Sequence, residues 1–367
     1  MKIAGKARRM YMLASALVVI AIVVIYAAAQ MGGGQTAEKG ISAAPTHSAA
    51  PVETIAPTAS PAPTGIAGEE TAHSGEMMTT TVYYQDNYGY LVPVAKQIPY
   101  EDGIAKATLG LMVKSLYNDM EAARLGLRTV LPENTQIELD ISGGVASIDL
   151  SGEAAQTADA QSESVMVSAI VQALTEFDTV SSVRITVDGQ AVEKLPHGTD
   201  ISGALARSSI NMESSALSAQ EASSVTLYFP SDEGSLLVPV TRMVYGNADI
   251  DTAVLELAKG PRGSGQLENA LPGGVGLIGV KVVDGVAIVN FTEEFMDIVE
   301  ETDGGRMALR ALMLTCSRFE GVEGVRILVD GEDYDPGLDT MAFPDFVNDY
   351  ESVLSYSIAA QAAAIFE

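Results

Sequence analysis

The sequence of 367 residues contains one cysteine, three histidines and no tryptophan, and the first two scarcities each exclude a class of site. Because Cys316 is the single thiol, no intramolecular disulfide framework holds this fold together. His47 and His73 fall in a segment of low complexity, and His197 lies just past the first predicted domain. The predicted folded units therefore offer no Ser-His-Asp or Cys-His catalytic arrangement and no zinc site of the His/Cys type.

Positive charge is also scarce, because 21 lysines and arginines stand against 48 aspartates and glutamates. The formal net charge is −27. A surface of this sign repels nucleic acid and anionic lipid, so neither is expected as a direct partner. The composition favours a soluble, mutually repulsive surface that meets protein partners at a defined patch.

The sequence contains one pattern twice. Residues 183–189 (VRITVDG) recur as residues 325–331 (VRILVDG), and residues 91–94 (LVPV) recur as residues 237–240. The order is the same in both places, which predicts two domains of roughly 115 residues, a usual size for an independently folding unit. We call them copy 1 and copy 2. Residues shared by both copies indicate the fold, whereas residues found in one copy only indicate where function has diverged.

The N-terminal part carries an uncharged apolar run over residues 10–29, preceded by four basic residues. A helix of this length spans roughly 30 Å, the thickness of a bilayer core, and the basic flank keeps its near end in the cytoplasm. We therefore predict a single-pass membrane anchor with extracytoplasmic domains. The alternative is a signal peptide that is cleaved after the small residues 27–29.

Composition and the repeat together divide the chain into six parts. Residues 32–76 contain five prolines and no aromatic residue, which predicts a disordered tether, because such a segment buries too little apolar surface to offset its ordering entropy. Residues 196–223 also lack aromatic residues and are rich in Ser, Ala and Gly. The predicted parts are 1–31 (transmembrane anchor or signal segment), 32–76 (disordered tether), 79–195 (domain 1), 196–223 (linker), 224–340 (domain 2) and 341–367 (C-terminal tail).

Hydrophobic periodicity predicts an α+β fold with the order β-β-α-β-β-α-β in each copy. Pro93 and Pro239 fall in the second strands and predict edge positions, because proline cannot donate to a ladder. Each helix has a single apolar stripe, so two helices are expected on one face of a small mixed sheet. The stripe of the first helix in copy 1 consists of Ala105, Leu109, Met112, Val113 and Leu116.

Carboxylates are the remaining candidates for catalysis, and their spacing favours a structural role. Glu294 and its counterpart Glu153 stand two residues after Thr292 and Ser151, a pattern typical of a helix N-terminus capped by a hydroxyl. Cys316 falls on an apolar helix face, where burial makes a thiol unreactive. We therefore predict no catalytic, cofactor-binding or metal-binding residue, and no enzymatic activity.

One set of residues differs between the copies in a way that indicates an interaction surface. On the sheet face opposite the helices, copy 1 carries Glu138, Val145, Ser147 and Thr186, whereas copy 2 carries apolar residues, among them Val283. A contiguous exposed apolar patch is unusual on a soluble monomer and generally marks an interface. The alternative is that the N-terminal hairpin of the domain or the tail covers it. The candidate interaction patch consists of Leu277, Val286, Ile288 and Leu328.

Three stretches of copy 2, residues 255–261, 285–295 and 315–331, carry a family resemblance. Through them copy 2 resembles the GerMN domain family, and copy 1 is a more divergent example that lacks the Gly-Pro after the first helix. The resemblance implies a fold related to the ring-building motif and a role in sporulation. It also implies a place between the mother cell and forespore membranes, where members help to assemble a secretion-like complex. The lipoprotein cysteine usual in the family is absent here.

The residues and the resemblance together predict a non-catalytic, membrane-tethered extracytoplasmic scaffold in sporulation or germination. One alternative is an envelope adaptor that modulates a signalling or wall-synthesis machine. The other is a carboxylate-dependent cell-wall hydrolase, which needs a pair of acids with a role other than capping. The expected partners are proteins of a sporulation envelope complex, further copies of the chain, and the membrane through the N-terminal segment. The expected location is the cell membrane.

Overall fold

A computed structural model describes residues 76–214, 222–232, 235–263, 266–298 and 303–355. The predicted anchor and almost all of the predicted tether lie outside these residues, as does the end of the tail. Among the residues that the structure describes, no helix has the length and apolar character needed to cross a membrane.

Copy 1 consists of an antiparallel hairpin, three helices and a four-stranded mixed sheet. The sheet order is β3-β4-β5-β6, in which only β4 and β5 are parallel. Its elements are β1 (Met77–Gln85), β2 (Leu91–Pro99), α1 (Ile104–Gly110), α2 (Leu116–Ala123), β3 (Ile137–Ser142), β4 (Val145–Leu150), α3 (Ala160–Leu174), β5 (Ser182–Val187) and β6 (Leu205–Ala206).

Copy 2 repeats this arrangement with two helices. The sheet order is β12-β11-β10-β9, and β10 and β11 are the parallel pair. Its elements are β7 (Ala222–Pro230), β8 (Leu237–Tyr245), α4 (Ile250–Ala258), β9 (Leu277–Val283), β10 (Val286–Phe291), α5 (Asp303–Cys316), β11 (Gly324–Val329) and β12 (Glu332–Tyr334).

The predicted α+β fold with two tandem repeats is confirmed, and the structure adds two details. The hairpin of each copy forms a separate two-stranded sheet, so the mixed sheet holds only the last three strands of the repeat and one short added strand. The turns at Gly143-Gly144 and Asp284-Gly285 have positive φ at both residues (56° and 81°, 49° and 79°). Both turns therefore twist with the strands that they connect, as a two-residue hairpin requires.

The apolar stripe predicted for the first helix of copy 1 is wrong at its last residue. Helix α1 ends at Gly110, and Ser115 then caps a second helix by accepting a hydrogen bond from the Asn118 N–H (3.1 Å). Leu109 is fully buried, as predicted, but Leu116 lies on α2 and is 82% exposed. A new N-cap resets the helical phase, so a stripe that crosses it no longer lies on one face.

The hydrophobic core lies on the helix side of both mixed sheets and continues from one copy into the other. In copy 2, Ala287, Val289 and Phe291 of β10 are fully buried toward it. Phe291 stacks on Phe295 with the ring centroids 4.5 Å apart. The alternation along β10 therefore fixes which residues face the core and which face away from it.

Candidate interaction surface

Three residues of the predicted patch lie on the sheet face of copy 2 that points away from the helices. Val286 and Ile288 are half-buried and alternate along β10 with residues that are fully buried in the core. Leu328 lies beside them on β11, where Asn290 is its register partner. These three side chains are not part of the hydrophobic core.

Leu277, the fourth predicted residue, lies on the opposite face of the sheet. The register between β9 and β10 shifts at a bulge, so that Asn290 pairs with Gly279 whereas Phe291 pairs with Leu277. Leu277 packs against the core on the same side as the fully buried Phe291. The extra residue at a bulge reverses the alternation of side chains, so the patch consists of Val286, Ile288 and Leu328.

The patch has a cation on each side of its centre. Lys281 on β9 and Arg326 on β11 are the two register partners of Ile288. Arg326 donates to Asp333 on β12, with distances of 2.7 Å from Nε and 2.5 Å from Nη2. These bonds raise the pKa of the Arg326 guanidinium and lower that of the Asp333 carboxyl. The surface is thus an apolar strip with Lys281 on one side and the Arg326–Asp333 ion pair on the other.

Copy 1 has polar residues at two of the three patch positions, while Val145 takes the place of Val286. Ser147 takes the place of Ile288, since its register partner is Arg184 and that of Ile288 is Arg326. In the next pair along, Asp149 and Thr186 take the places of Asn290 and Leu328. The Thr186 hydroxyl donates to Asp149 Oδ1 (2.5 Å), which also accepts from the Gly189 N–H (2.8 Å). The centre of this face is therefore hydrogen-bonded and polar in copy 1, whereas Ile288 and Leu328 make it apolar in copy 2.

The hairpin of copy 2 does not cover the patch, and the described part of the tail reaches its edge at Met341, whose backbone lies over Gly324, the register partner of Val286. The hairpin packs against α4 and α5 on the other side of the sheet. In the tail, Ala95 of copy 1 pairs with Asp349, and Val353 and Leu354 pack against the hydrophobic core. In the described residues Val286, Ile288 and Leu328 are half-buried, and their role as an interaction surface stays a prediction.

The two hydroxyl-carboxylate pairs differ from the predicted helix caps. Thr292 Oγ1 donates to the Glu294 carboxylate and accepts from the Gly276 N–H (2.9 Å), while Ser151 Oγ accepts from the N–H of the residue before β3 (2.9 Å). Neither hydroxyl caps the short 3-10 turn that follows it, so both fasten the start of one strand to the end of the next. Hydrogen bonds from these hydroxyls lower the pKa of Glu153 and Glu294.

The remaining chemical candidate, Cys316, is fully buried. Burial raises the pKa of its thiol to about 12, so almost no thiolate forms near neutral pH. In the described residues, no group of three or more His, Cys, Asp or Glu side chains is placed to hold a metal ion.

Sequence reasoning missed the junction between the copies, where two asparagines connect the second strands. Asn211 lies in the segment predicted as a linker. Its Oδ1 accepts from the Leu91 N–H (2.8 Å), and its Nδ2 donates to the carbonyls of Leu91 and Pro239 (2.7 Å each). One side-chain amide therefore joins β2 of copy 1 to β8 of copy 2.

Asn348, in the segment predicted as a tail, makes the same three bonds with the copies exchanged. Its Oδ1 accepts from the Leu237 N–H (2.8 Å), and its Nδ2 donates to the carbonyls of Leu237 (2.9 Å) and Pro93 (2.8 Å). Both prolines lie at the edge that faces the other copy, as their sequence predicted. The junction thus has pseudo-twofold symmetry.

The backbone around each asparagine pairs with the second strand of the other copy. We call residues 210–213 strap 1 and residues 347–350 strap 2. Strap 1 binds β8, since the Thr241 N–H donates to Ile210 O (3.0 Å) and the Glu213 N–H donates to Thr241 O (2.9 Å). Strap 2 binds β2, since the Ala95 N–H donates to Asn348 O (2.7 Å). Each copy is therefore held by the segment that follows the other.

Strap 1 ends on a buried ion pair. Arg242, with a side chain that is 1% exposed, donates to the two carboxylate oxygens of Glu213 at 2.6 and 2.9 Å. It also contacts Glu256 Oε2 (3.2 Å) and donates to the carbonyl of Gly260 (2.8 Å). Burial raises the pKa of Glu256, but Lys259 and Arg242 together lower it by more than burial raises it, so the net shift is downward. The N–H groups of this buried guanidinium therefore have oxygen acceptors, which compensate for the hydration that the charge loses on burial.

Strap 2 ends on the equivalent cation of copy 1. Lys96 Nζ lies 4.2 Å from the ring centroid of Tyr350 and 3.3 Å from Glu121 Oε2. The Tyr350 hydroxyl donates to the same carboxylate (2.9 Å). The same arrangement therefore occurs in both copies. It consists of a cation on the second strand, an acid from a neighbouring helix and a side chain from the strap that follows the other copy.

The chain is similar to proteins of sporulation and spore germination. The Germane family model, described as sporulation and spore germination, matches residues 81–193 and 226–335. The spore germination protein GerM of Bacillus subtilis (strain 168) is 27% identical over 277 residues, which cover 72% of this chain and 75% of that protein. The solved tandem GerMN domains of the sporulation protein GerM from Bacillus subtilis superpose with a TM-score of 0.64 at 25% identity, covering 75% of this chain and 99% of that one.

Proposed function

The chain belongs to the Germane family of sporulation and spore germination proteins, and from that premise we propose that it is a non-catalytic, membrane-tethered scaffold. Its similarity to GerM supports a role in sporulation. In our proposal it assembles with an envelope-spanning complex between the mother cell and the forespore, and its domains lie outside the cytoplasm.

The observation that carries this proposal is the apolar patch on copy 2. Val286, Ile288 and Leu328 lie together on an uncovered sheet face, and the matching face of copy 1 shows that the fold itself accepts polar residues there. An exposed patch that folding does not require is most simply explained by a protein partner. Lys281, which is exposed beside Ile288, favours a partner with an acidic group next to an apolar centre.

Membrane attachment is the second part of the proposal and rests on residues 10–29, which lie outside the described residues. An uncharged run of this length after a basic flank is typical of a single-pass anchor. Deletion of residues 10–29 is expected to move the protein from the membrane fraction to a soluble fraction. A chain that keeps its membrane association after this deletion would contradict the proposed attachment.

A sporulation assay tests the proposed role of the patch. We expect the double variant Ile288→Lys with Leu328→Lys to reduce the yield of heat-resistant spores to that of a strain without the protein. The matched control is Ser147→Lys with Thr186→Lys, which places the same charges on the same face of copy 1 and is expected to sporulate normally. A patch variant that accumulates at normal levels and sporulates like its parent refutes the proposal.

The proposed absence of catalysis is tested by a zymogram on sporulating-cell walls. The purified chain is expected to clear no wall material. Clearing that disappears in Glu294→Gln would instead support a carboxylate-dependent hydrolase, since Glu294 has a counterpart in copy 1 and is exposed to solvent.

A further inference from the structure

Helix α2 of copy 1 directs its apolar side chains into solvent. Leu116, Tyr117 and Met120 lie within one and a half turns of the helix and are 82%, 68% and 56% exposed. Copy 2 has no described helix between α4 and β9, so this helix is specific to copy 1. A surface helix that served the fold alone would place such residues toward the core and polar residues toward water.

The polar side chains of α2 instead point back toward the protein. Asn118 Nδ2 donates to the carbonyls of Gly110 (2.9 Å) and Val113 (2.8 Å). The Thr129 hydroxyl donates to Asp119 Oδ1 (2.6 Å). These bonds anchor the first turn of the helix to the loops on either side of it.

The last turn of α2 is anchored to strap 2 and to the second strand of copy 1. Glu121 binds both Lys96 and the hydroxyl of Tyr350, and Ala122 next to it is fully buried. The helix is therefore held rigidly in a position where its apolar side chains contribute little to folding. A partner that binds them has little ordering entropy to overcome, which is the usual benefit of a preorganised surface.

Cations lie at both ends of the exposed apolar cluster. Lys114 precedes the helix and Arg124 follows it, and both are exposed. Arg124 also contacts Glu121 at 3.4 Å, and its side chain remains 52% exposed. On a chain with a net charge of −27, this rim favours carboxylates on a partner, while the charge of the whole protein opposes docking on an anionic bilayer.

We propose that α2 is a docking helix for a protein partner that presents an apolar groove bordered by carboxylates. Leu116, Tyr117 and Met120 enter the groove, and Lys114 and Arg124 face its acidic rim. Met120 follows Leu116 by four residues and Tyr117 by three, the spacing of anchors in the helix-in-groove mode of recognition. Tyr, Met and Arg are also enriched in the centres of protein interfaces. The docking helix is in copy 1, whereas the sheet patch is in copy 2. The inference rests on the proposed function only in assuming that the chain binds other proteins.

Site-specific photocrosslinking of the full-length chain in sporulating cells tests this proposal. A benzophenone amino acid at position 117 is expected to give one discrete adduct with a different protein. The matched control is the same substitution at position 245, because Tyr245 is 77% exposed at the end of β8 in copy 2. Mass spectrometry of the adduct is expected to locate the crosslink in an apolar segment flanked by Asp or Glu.

Two variants establish whether the adduct depends on the proposed chemistry. Leu116→Ser with Met120→Ser is expected to abolish it, and Lys114→Glu with Arg124→Glu to reduce it at least several-fold. Since these side chains are exposed, neither variant is expected to lower the Tm of the purified chain by more than a few degrees.

Four results would overturn the proposal: no adduct, an adduct with a second copy of this chain, an adduct that survives Leu116→Ser with Met120→Ser, or a crosslinked segment without carboxylates. Binding to vesicles of phosphatidylglycerol and phosphatidylethanolamine that requires Leu116 and Met120 would assign α2 to the membrane instead. If the adduct persists while the Ile288→Lys, Leu328→Lys variant sporulates normally, the proposed role of the sheet patch fails and the docking helix stands.

Discussion

At the scale of single residues, Asn211 and Asn348 supply hydrogen bonds that prolines remove. Pro93 and Pro239 lack an N–H at the edge where β2 and β8 approach each other, so a direct ladder between the copies is interrupted there. Each asparagine satisfies one backbone N–H and two carbonyls in its place. Sequence reasoning placed the prolines correctly but missed the asparagines, because the bonds join residues that are far apart in the chain and have no local signature.

We expect Asn348→Ala to lower the free energy of unfolding by about 1–3 kcal/mol, because it leaves buried backbone groups of β8 without partners. Urea denaturation at neutral pH measures this loss. The control is Asn87→Ala in the exposed turn of the first hairpin, which is expected to change stability by less than about 0.5 kcal/mol. Equal effects of the two substitutions would show that the asparagine does not hold the junction.

The buried carboxylate Glu163 gives the protein a pH-dependent contribution to stability. Its oxygens accept hydrogen bonds from the backbone N–H groups of His197 and Thr199 at 2.8 Å each. Burial raises the pKa of Glu163, but these hydrogen bonds lower it by more than burial raises it. The folded-state pKa is therefore below the ordinary value. A depressed carboxyl pKa contributes stability that is complete above the unfolded-state pKa and is lost as the pH falls through the folded-state pKa.

We therefore expect Glu163→Gln to destabilise the protein clearly at pH 7 and progressively less as the pH falls below about 4.3, the usual pKa of a glutamate. Urea unfolding of wild type and variant at pH 7 and in acid provides the comparison. A difference in unfolding free energy that stays the same across this range would contradict the account.

At the scale of elements, strand alternation and turn chemistry were the most predictable features. The Gly143-Gly144 and Asp284-Gly285 turns and the inward residues of β10 follow directly from local sequence. Leu277 was misplaced because a bulge reverses the alternation, and the signal for that bulge, Gly279 inside the strand, was read as part of an ordinary strand. Helix α2 was merged with α1 because the periodic pattern continued across Gly110 into Leu116.

The two straps were harder still to predict from local sequence. Strap 1 lies in a segment whose composition predicts a linker, and strap 2 lies in the predicted tail. Composition reports how much apolar surface a segment brings, but not whether a strand edge elsewhere offers it backbone partners. Both straps obtain their order from the other copy, which no window of local sequence contains.

The buried end of strap 1 is expected to matter more than any surface ion pair. Glu213→Ala removes the bidentate partner of Arg242 and should cost about 3–5 kcal/mol, because it leaves a buried guanidinium with incomplete pairing. Asp333→Ala breaks the exposed pair with Arg326 and should cost far less, because solvent screens the attraction between exposed charges. Thermal or urea unfolding compares the two, and similar losses would show that the buried pair does not anchor the strap.

At the scale of the whole molecule, the two copies share the junction and differ in the surfaces that they present. Straps, buried cations and core residues occur in both copies, and the hydrophobic core runs continuously through them. Copy 2 alone has the apolar sheet face, and copy 1 alone has the inverted helix α2. The two copies therefore form one compact unit with two unlike surfaces, an arrangement that is consistent with the scaffold role proposed above.

The most direct test of this account is the size of the assembly that contains the chain, measured on native gels after detergent extraction of sporulating cells. We predict that wild type and the Ser147→Lys, Thr186→Lys control migrate in a large assembly. The Ile288→Lys, Leu328→Lys variant is predicted to remain folded and to migrate as the free chain. If that variant stays in the large assembly, or if it unfolds copy 2 instead, the sheet face of copy 2 is not the surface through which this protein joins its partners.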